Sequence, residues 1–344
     1  MRRHACFGLL TLLSLAGSSA AAAQDFYAGK QITMLVGSGV GGGYDLYGRL
    51  IARYWPKYIA GHPSIVVQNV PAAGSLVAMN TLANVSPRDG TFIAAVQNHI
   101  GIEPIMGITG RSDNAKYDGR KVNWIGSAAK EVPVTVAWHT SGFRTFADIQ
   151  KREMLVGSPG VATSSAVYAN VLNQLADTKF KLIAGYVDNN VLNLAMENNE
   201  IQGRTGWYIS SLLSTKKQWL DEGKILVLVQ IAVEKHPAFP NVPLVIDFVT
   251  DPVKREQLAF SVSWLPMGRP FVLPADVPAE RVRILRESFA KTLTDPALIE
   301  EATKMGLEVS PMTGEEVQDL VGKIYADLDP RQVARLRAFR HPRA

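Results

Sequence analysis

Ile32-Thr33-Met34-Leu35-Val36-Gly37-Ser38-Gly39-Val40-Gly41-Gly42-Gly43-Tyr44-Asp45 joins an apolar, strand-like run to a glycine loop and then to a helical pattern. A strand that ends in glycines and turns into a helix leaves backbone N–H groups bare. With the positive end of the helix dipole, those groups make an anion site. Downstream, Leu46, Leu50, Ile51, Tyr54, Trp55 and Tyr58 recur on one side, which predicts a helix over 46–59. The same punctuation recurs at Pro71–Ser75, after a strand expected over 64–68, and at Gly157–Thr163, after one expected over 153–156. Ligands of open α/β sheets bind at the carboxyl ends of strands, where such turns lie. Two of the turns fall in the N-terminal part and one in the middle segment, so in a two-lobed chain they would face each other across a cleft.

Strand and helix patterns alternate along the chain, predicting an α/β protein with mostly parallel sheets. Further strands are expected over 31–36, 91–97, 122–125, 132–138, 179–183, 201–205 and 224–231. Further helices are expected over 75–83, 145–150, 164–175, 189–198, 279–294, 297–305 and 314–326. At 344 residues, two domains are the default. Residues 1–23 have the build of a cleaved secretory signal: Arg2 and Arg3, an apolar run from Cys6 to Gly17, and Ala21-Ala22-Ala23. The single cysteine, Cys6, would leave with it, so no disulfide and no thiolate metal site is expected. Of 36 Lys+Arg and 31 Asp+Glu, the signal removes two arginines, leaving 34 − 31 = +3, a balance that does not imply nucleic acid. Arg331, Arg335, Arg337, Arg340 and Arg343 near the end read as a solvated face or a docking patch.

Gly37, Gly39 and Gly42 satisfy Gly-x-Gly-x-x-Gly, but no Asp or Glu lies between Asp45 and Asp89 to take a ribose. Gly43-Tyr44-Asp45 stands where a phosphate loop needs Gly-Lys-Ser/Thr. His62, His99, His139 and His236 are dispersed, with no metal-ligand spacing. Ser38 and Ser158 lie outside any nucleophile elbow, and no base-and-orienter pair stands out, so no enzyme is expected. Asp45 reads as a helix cap accepting from Tyr47 or Gly48. Ser75 reads as a cap or a ligand donor, and Asp188 as a cap. Trp207 and Tyr208 read as core, or with Tyr44 as an apolar wall for a ligand. His99 could line the cleft.

The chain resembles the solute receptors of tripartite tricarboxylate transporters, the Bug-type family. The matching residues are Gly41-Gly42-Gly43-Tyr44-Asp45, the turn Asn69-Val70-Pro71-Ala72-Ala73-Gly74, Pro87-Arg88-Asp89-Gly90, Gly157-Ser158-Pro159-Gly160 and Pro274-Ala275-Asp276-Val277-Pro278. Asp295-Pro296 and Met305-Gly306-Leu307 continue the match. The resemblance implies a type II-like, two-lobed periplasmic binding protein: residues 24–125 plus 231–344 as lobe 1 and 126–230 as lobe 2. Hinges would lie near 124–127 and 224–231. It implies a small organic carboxylate held by Ser38, Gly39, Val40, Gly41 and Tyr44 of the first loop. Gly74 and Ser75 would follow from the second, then Asn98, with Ser158, Gly160, Thr163 and Ser164 from the other lobe. It further implies delivery to membrane permease subunits, a monomer, and no cofactor or metal. Two departures stand out: Tyr44 where many members have Ser or Thr, and Ala166 where many have His. The rival readings are an exported enzyme acting on a carboxylate through Ser158 or His99, and a sensor subunit of a signalling system.

Overall fold

The computed structural model describes residues 26–107, 114–160, 163–186, 189–328 and 333–334. The signal-like segment, Asp188 and the arginines from Arg331 onward lie outside the described residues. The chain begins β1 (Gln31–Val36), α1 (Gly43–Tyr54), β2 (Ser64–Asn69), α2 (Leu76–Asn84), β3 (Phe92–Ala95), α3 (Glu103–Met106) and β4 (Asn123–Ser127). It then crosses to β5 (Pro133–Trp138), α4 (Phe146–Lys151), β6 (Met154–Ser158), α5 (Ser164–Leu175), β7 (Phe180–Ala184), α6 (Asn189–Glu197), β8 (Gly203–Tyr208), α7 (Ile209–Asp221) and β9 (Ile225–Gln230). After α8 (Pro252–Ser261) it returns through β10 (Pro270–Leu273), α9 (Ala279–Thr292), α10 (Pro296–Lys304), β11 (Met312–Thr313) and α11 (Gly314–Ala326).

Two sheets result, ordered β11-β4-β10-β3-β1-β2 and β7-β6-β8-β5-β9. β1 is buried at every position but its first, and β5, β8 and β10 throughout, as strands covered on both faces must be. Pairings β1–β2, β1–β3, β6–β7 and β6–β8 are parallel; those of β10, β11 and β5 are antiparallel. The sheets are therefore mixed rather than mostly parallel. The parallel half of each carries the strand-to-helix turns, and the crossover strands run back beside it.

The return to the first sheet comes later than the sequence suggests. β9 is an edge strand of the second sheet, and Gln230 bridges to Leu244. Phe248 packs on Phe146 of α4 with centroids 4.6 Å apart, and Lys254 of α8 pairs with Asp177 at 2.6 Å. Residues 231–261 thus attach to the second sheet, and the chain crosses back through 262–269. The two crossing segments run side by side. Ala128 N–H donates to the Arg269 carbonyl at 3.0 Å, Arg269 N–H to the Ala129 carbonyl at 3.2 Å, and the Ser127 hydroxyl to the Met267 carbonyl at 2.6 Å. In the first lobe, Trp55 seats the end of α1 against Phe271 and Phe289, and its Nε1 donates to Ser288 Oγ at 2.8 Å.

Candidate functional site

In the loop between β1 and α1, Gly41 takes a left-handed φ of 78°, which a side chain would resist. Gly43 is needed for room: a Cβ there would stand 2.2 Å from Ser211 Oγ of α7. Asp45 does not cap forward onto Tyr47 or Gly48. It is the third residue of α1 and reaches back to accept the Gly41 N–H at 2.8 Å. It also accepts Arg49 Nε at 2.9 Å and Asn69 Nδ2 at 2.8 Å, while Asn69 Nδ2 also reaches the Ser38 carbonyl at 3.0 Å. Burial alone would raise the Asp45 pKa, but the bonds from Arg49, Gly41 and Asn69 outweigh it and hold the carboxyl below its ordinary value. With its oxygens so engaged and its side chain 1% exposed, Asp45 organises the loop and is kept from repelling an anion.

At the second turn Ala73, Gly74 and Ser75 all have positive φ, 45°, 58° and 74°. Two non-glycine residues in that region store roughly 1–3 kcal/mol each. Ser75 makes no cap bond. Its buried hydroxyl donates to the Gly37 carbonyl at 2.8 Å and accepts the Gln97 N–H at 3.0 Å, locking the ends of β1 and β3 together. After β3, Asn98 is 1% exposed. Its N–H donates to the Tyr44 hydroxyl at 3.3 Å and its Oδ1 accepts the Tyr208 hydroxyl, from β8 of the other lobe, at 3.1 Å. Asn98 Nδ2 and Ser38 Oγ are both buried and both without a hydrogen-bond partner.

The turn after β6 is closed on itself. The Ser158 and Thr163 hydroxyls lie 2.7 Å apart, and each is 2.8 Å from the Gly160 carbonyl. Ser164 Oγ donates to the Gly206 carbonyl at 3.0 Å. Of the residues expected at the site, Ser38 and Gly41 are tied through Asn69 and Asp45, Ser75 holds Gly37 and Gln97, Tyr44 and Asn98 bond each other, and Ser158, Gly160 and Thr163 form a set of their own. Gly39 and Gly74 shape their turns by backbone alone. Val40 is 69% exposed and takes no part in these bonds. Tyr44 is not an open wall: its hydroxyl donates to the Gly268 carbonyl at 3.2 Å, and burial raises its pKa. Trp207 is core, against Trp219, whereas Tyr208 meets Tyr44 edge-on with centroids 6.5 Å apart.

Sequence reading missed the group that joins the lobes. Arg269, before β10, is 1% exposed and donates from Nε to Glu131 at 2.7 Å. Its Nη2 reaches Ser210 and Ser211 of α7 at 2.8 and 3.0 Å, and Ser210 also bonds Glu131. The guanidinium lies 4.3 Å from the Tyr44 ring centre and 5.2 Å from those of Tyr47 and Tyr208. Burial works against this charge, but Glu131 and the facing tyrosines outweigh it and hold Arg269 above its usual pKa. A lone Glu or Arg at a domain crossing was the available signal, but their partnership spans 138 positions.

Among the described residues no group of three His, Cys, Asp or Glu could hold a metal ion, and no helix is long and apolar enough to cross a membrane. A groove of about 600 Å³ lies apart from the turns, between α9 and β11, lined in part by Val282, Arg286, Phe289 and Met312.

The family model "Tripartite tricarboxylate transporter family receptor" matches residues 53–329. The chain belongs to that family. This receptor is 23% identical over 305 residues to a UPF0065 protein of Bordetella bronchiseptica, covering 87% of this chain and 84% of the relative. Its fold is similar to that of the periplasmic binding protein BugD, with a TM-score of 0.69, 16% identity, and 91% of this chain and 98% of the other covered. It is similar also to an R. palustris protein solved with adipate, with a TM-score of 0.68, 16% identity, and 90% and 97% covered. The resemblance read from the glycine and proline turns and the family match agree, as does the two-sheet architecture.

Proposed function

We propose that this receptor works outside the cytoplasm, closes two lobes around a small organic carboxylate, and delivers it to the membrane permease of a tripartite transporter. The observation that carries the ligand class is the pair of buried, unpartnered groups Ser38 Oγ and Asn98 Nδ2. A buried polar atom without a bond costs about 1–3 kcal/mol. Ser38 follows β1 and Asn98 follows β3, its neighbour in the first sheet, and both can donate to an anionic oxygen. Adipate in a protein of the same fold supports the same class. Each such bond to a charged oxygen is worth about 1.5–3 kcal/mol. Three or four, less ordering costs, give micromolar binding or tighter.

In this reading residues 26–127 and 270–328 form one lobe and 133–261 the other, and the paired segments 128–132 and 262–269 flex between them. The secretory signal at 1–23 carries the chain out, and one chain suffices for one ligand. A hydrolase is disfavoured because the Ser158 hydroxyl bonds Thr163 and the Gly160 carbonyl rather than a histidine or carboxylate. The test is calorimetry and thermal shift of the chain lacking residues 1–23 against a panel of mono- and dicarboxylates, with their esters and amides assayed for turnover. Saturation with its ligand at a hundred times Kd should stabilise by about 2.7 kcal/mol, with nothing turned over. A panel that leaves the melting temperature unmoved, or an ester that is cleaved, removes the proposal.

A further inference from the structure

Tyr208 ends β8 and Asn98 follows β3, so a bond between them joins the carboxyl ends of strands from different sheets. The Tyr208 hydroxyl donates to Asn98 Oδ1 at 3.1 Å, and both residues are buried. The chain of bonds runs on from there. Asn98 N–H donates to the Tyr44 hydroxyl at 3.3 Å, and that hydroxyl donates in turn to the Gly268 carbonyl of the returning crossover. Just past Tyr208, Ser210 and Ser211 in the first turn of α7 hold Arg269. Asn98 therefore stands where the first lobe, the second lobe and the crossover meet, at the strand ends where open α/β sheets bind ligands.

An amide is nearly symmetric in shape and opposite in chemistry: its oxygen only accepts and its nitrogen only donates. Which end faces a ligand is decided by what holds the other end. Burial keeps the Tyr208 pKa well above its ordinary value, so the phenol carries its proton and gives it to Asn98 Oδ1. Nδ2, buried and without a partner among the described residues, is then the end left for a ligand. A reversed amide would turn Oδ1 toward an incoming carboxylate and repel it. It would also leave the Tyr208 proton to share the Tyr44 oxygen with the Asn98 N–H. Tyr208 belongs to the second lobe, so it reaches Asn98 only when the lobes are together. An anion on Nδ2 polarises the amide and strengthens the bond at Oδ1 in return.

We propose that Tyr208 is a positioning residue: on closure it turns the Asn98 amide so that Nδ2 donates to the ligand, which makes the site select a carboxylate over a carboxamide of the same shape. This rests on the carboxylate-receptor reading. The probes are straight-chain mono- and dicarboxylates of two to eight carbons, each paired with the compound in which one carboxylate is a primary amide. They are titrated calorimetrically into the wild type, Tyr208→Phe, Asn98→Ala and the double variant. Tyr208→Phe removes one oxygen and leaves the ring against Tyr44 and Arg269. It should weaken the tightest carboxylate by about three- to tenfold. It should weaken the paired amide less, because a freed Asn98 can turn Oδ1 to accept from it. A tyrosine that only latched the lobes would weaken both alike. With Asn98→Ala in place, Tyr208→Phe should change either affinity by less than about twofold, since no amide is left to orient. If Asn98→Ala does not fold, the ratio of the two affinities in Tyr208→Phe decides alone. Equal weakening of carboxylate and amide overturns the proposal, as does an unchanged affinity in Tyr208→Phe or a full loss from it without Asn98. A wild type that binds no probe removes this role and the receptor reading together.

Discussion

At the scale of the residue, the candidate site consists of groups held ready rather than groups held together. Ser38 Oγ makes no bond, so removing it takes nothing from the free protein. Ser38→Ala should leave the melting temperature unchanged or higher, yet weaken carboxylate binding by about 1.5–3 kcal/mol. Scanning and titration calorimetry on one preparation give both signs. A serine with a purely structural role would lower the melting temperature and leave affinity alone. Asp45 is the opposite kind of residue. Its pKa is lowered by folding, so its stabilisation is complete above the unfolded value near 3.8 and is lost as pH falls through the folded one. Asp45→Asn should cost about 2–3 kcal/mol at pH 7, because Arg49 then faces a neutral amide. Urea midpoints of the two proteins should converge as pH falls from about 3.8 through the lower folded value. A gap that stays constant with pH would mean that the Asp45 charge contributes nothing.

At the scale of the element, the turns matter because each fixes two strand ends at once. Ser75 bonds Gly37 and Gln97, whose backbones follow β1 and β3, and does so from a left-handed conformation that follows Ala73 and Gly74, also of positive φ. Ser75→Ala leaves a buried carbonyl and a buried N–H without this partner, so it should cost about 2–3 kcal/mol. It should also speed amide exchange at Gly37 and Gln97 ahead of the sheet interior; uniform exchange across the sheet would show that the bonds are incidental. Much of this scale was legible beforehand. β1, β2, β6 and α5 declare themselves by apolar period and by glycine or proline punctuation, and the helix expected over 314–326 is α11, which the structure shows opened by a Thr313–Glu316 capping box. β10 was not legible, because only three apolar residues stand between Pro270 and Pro274. Nor was α7, whose Ser-Ser and Ser-Thr pairs break the helical period and whose Lys216 departs from helical φ/ψ. The forward-capping reading of Asp45 failed because the sequence cannot show that Arg49 and Asn69 converge on one carboxylate.

At the scale of the whole molecule, the lobes meet at one buried ion pair. Arg269 belongs to the returning crossover, Glu131 to the outgoing one, Ser210 and Ser211 to the second lobe, and Tyr44 and Tyr47 to the first. Opening the cleft must either carry this cluster with one lobe or break its bonds to α7. Breaking a buried pair by removing one partner costs about 3–5 kcal/mol, whereas replacing both by apolar groups is often neutral. Glu131→Gln should therefore destabilise by about 3–5 kcal/mol in urea, with Arg269 left charged among tyrosines. The double variant Glu131→Leu with Arg269→Met should recover most of that loss. It should not recover the hold on Ser210 and Ser211, so the free double variant should be more open. X-ray scattering should then give it a larger radius than the wild type without ligand and an equal one when a carboxylate is saturating. Equal radii in the free state would mean that the ion pair stabilises the crossovers but has no part in holding the lobes shut, and the closed form would then depend on other contacts between them, the Tyr208–Asn98 bond and the His236–Glu308 pair among them.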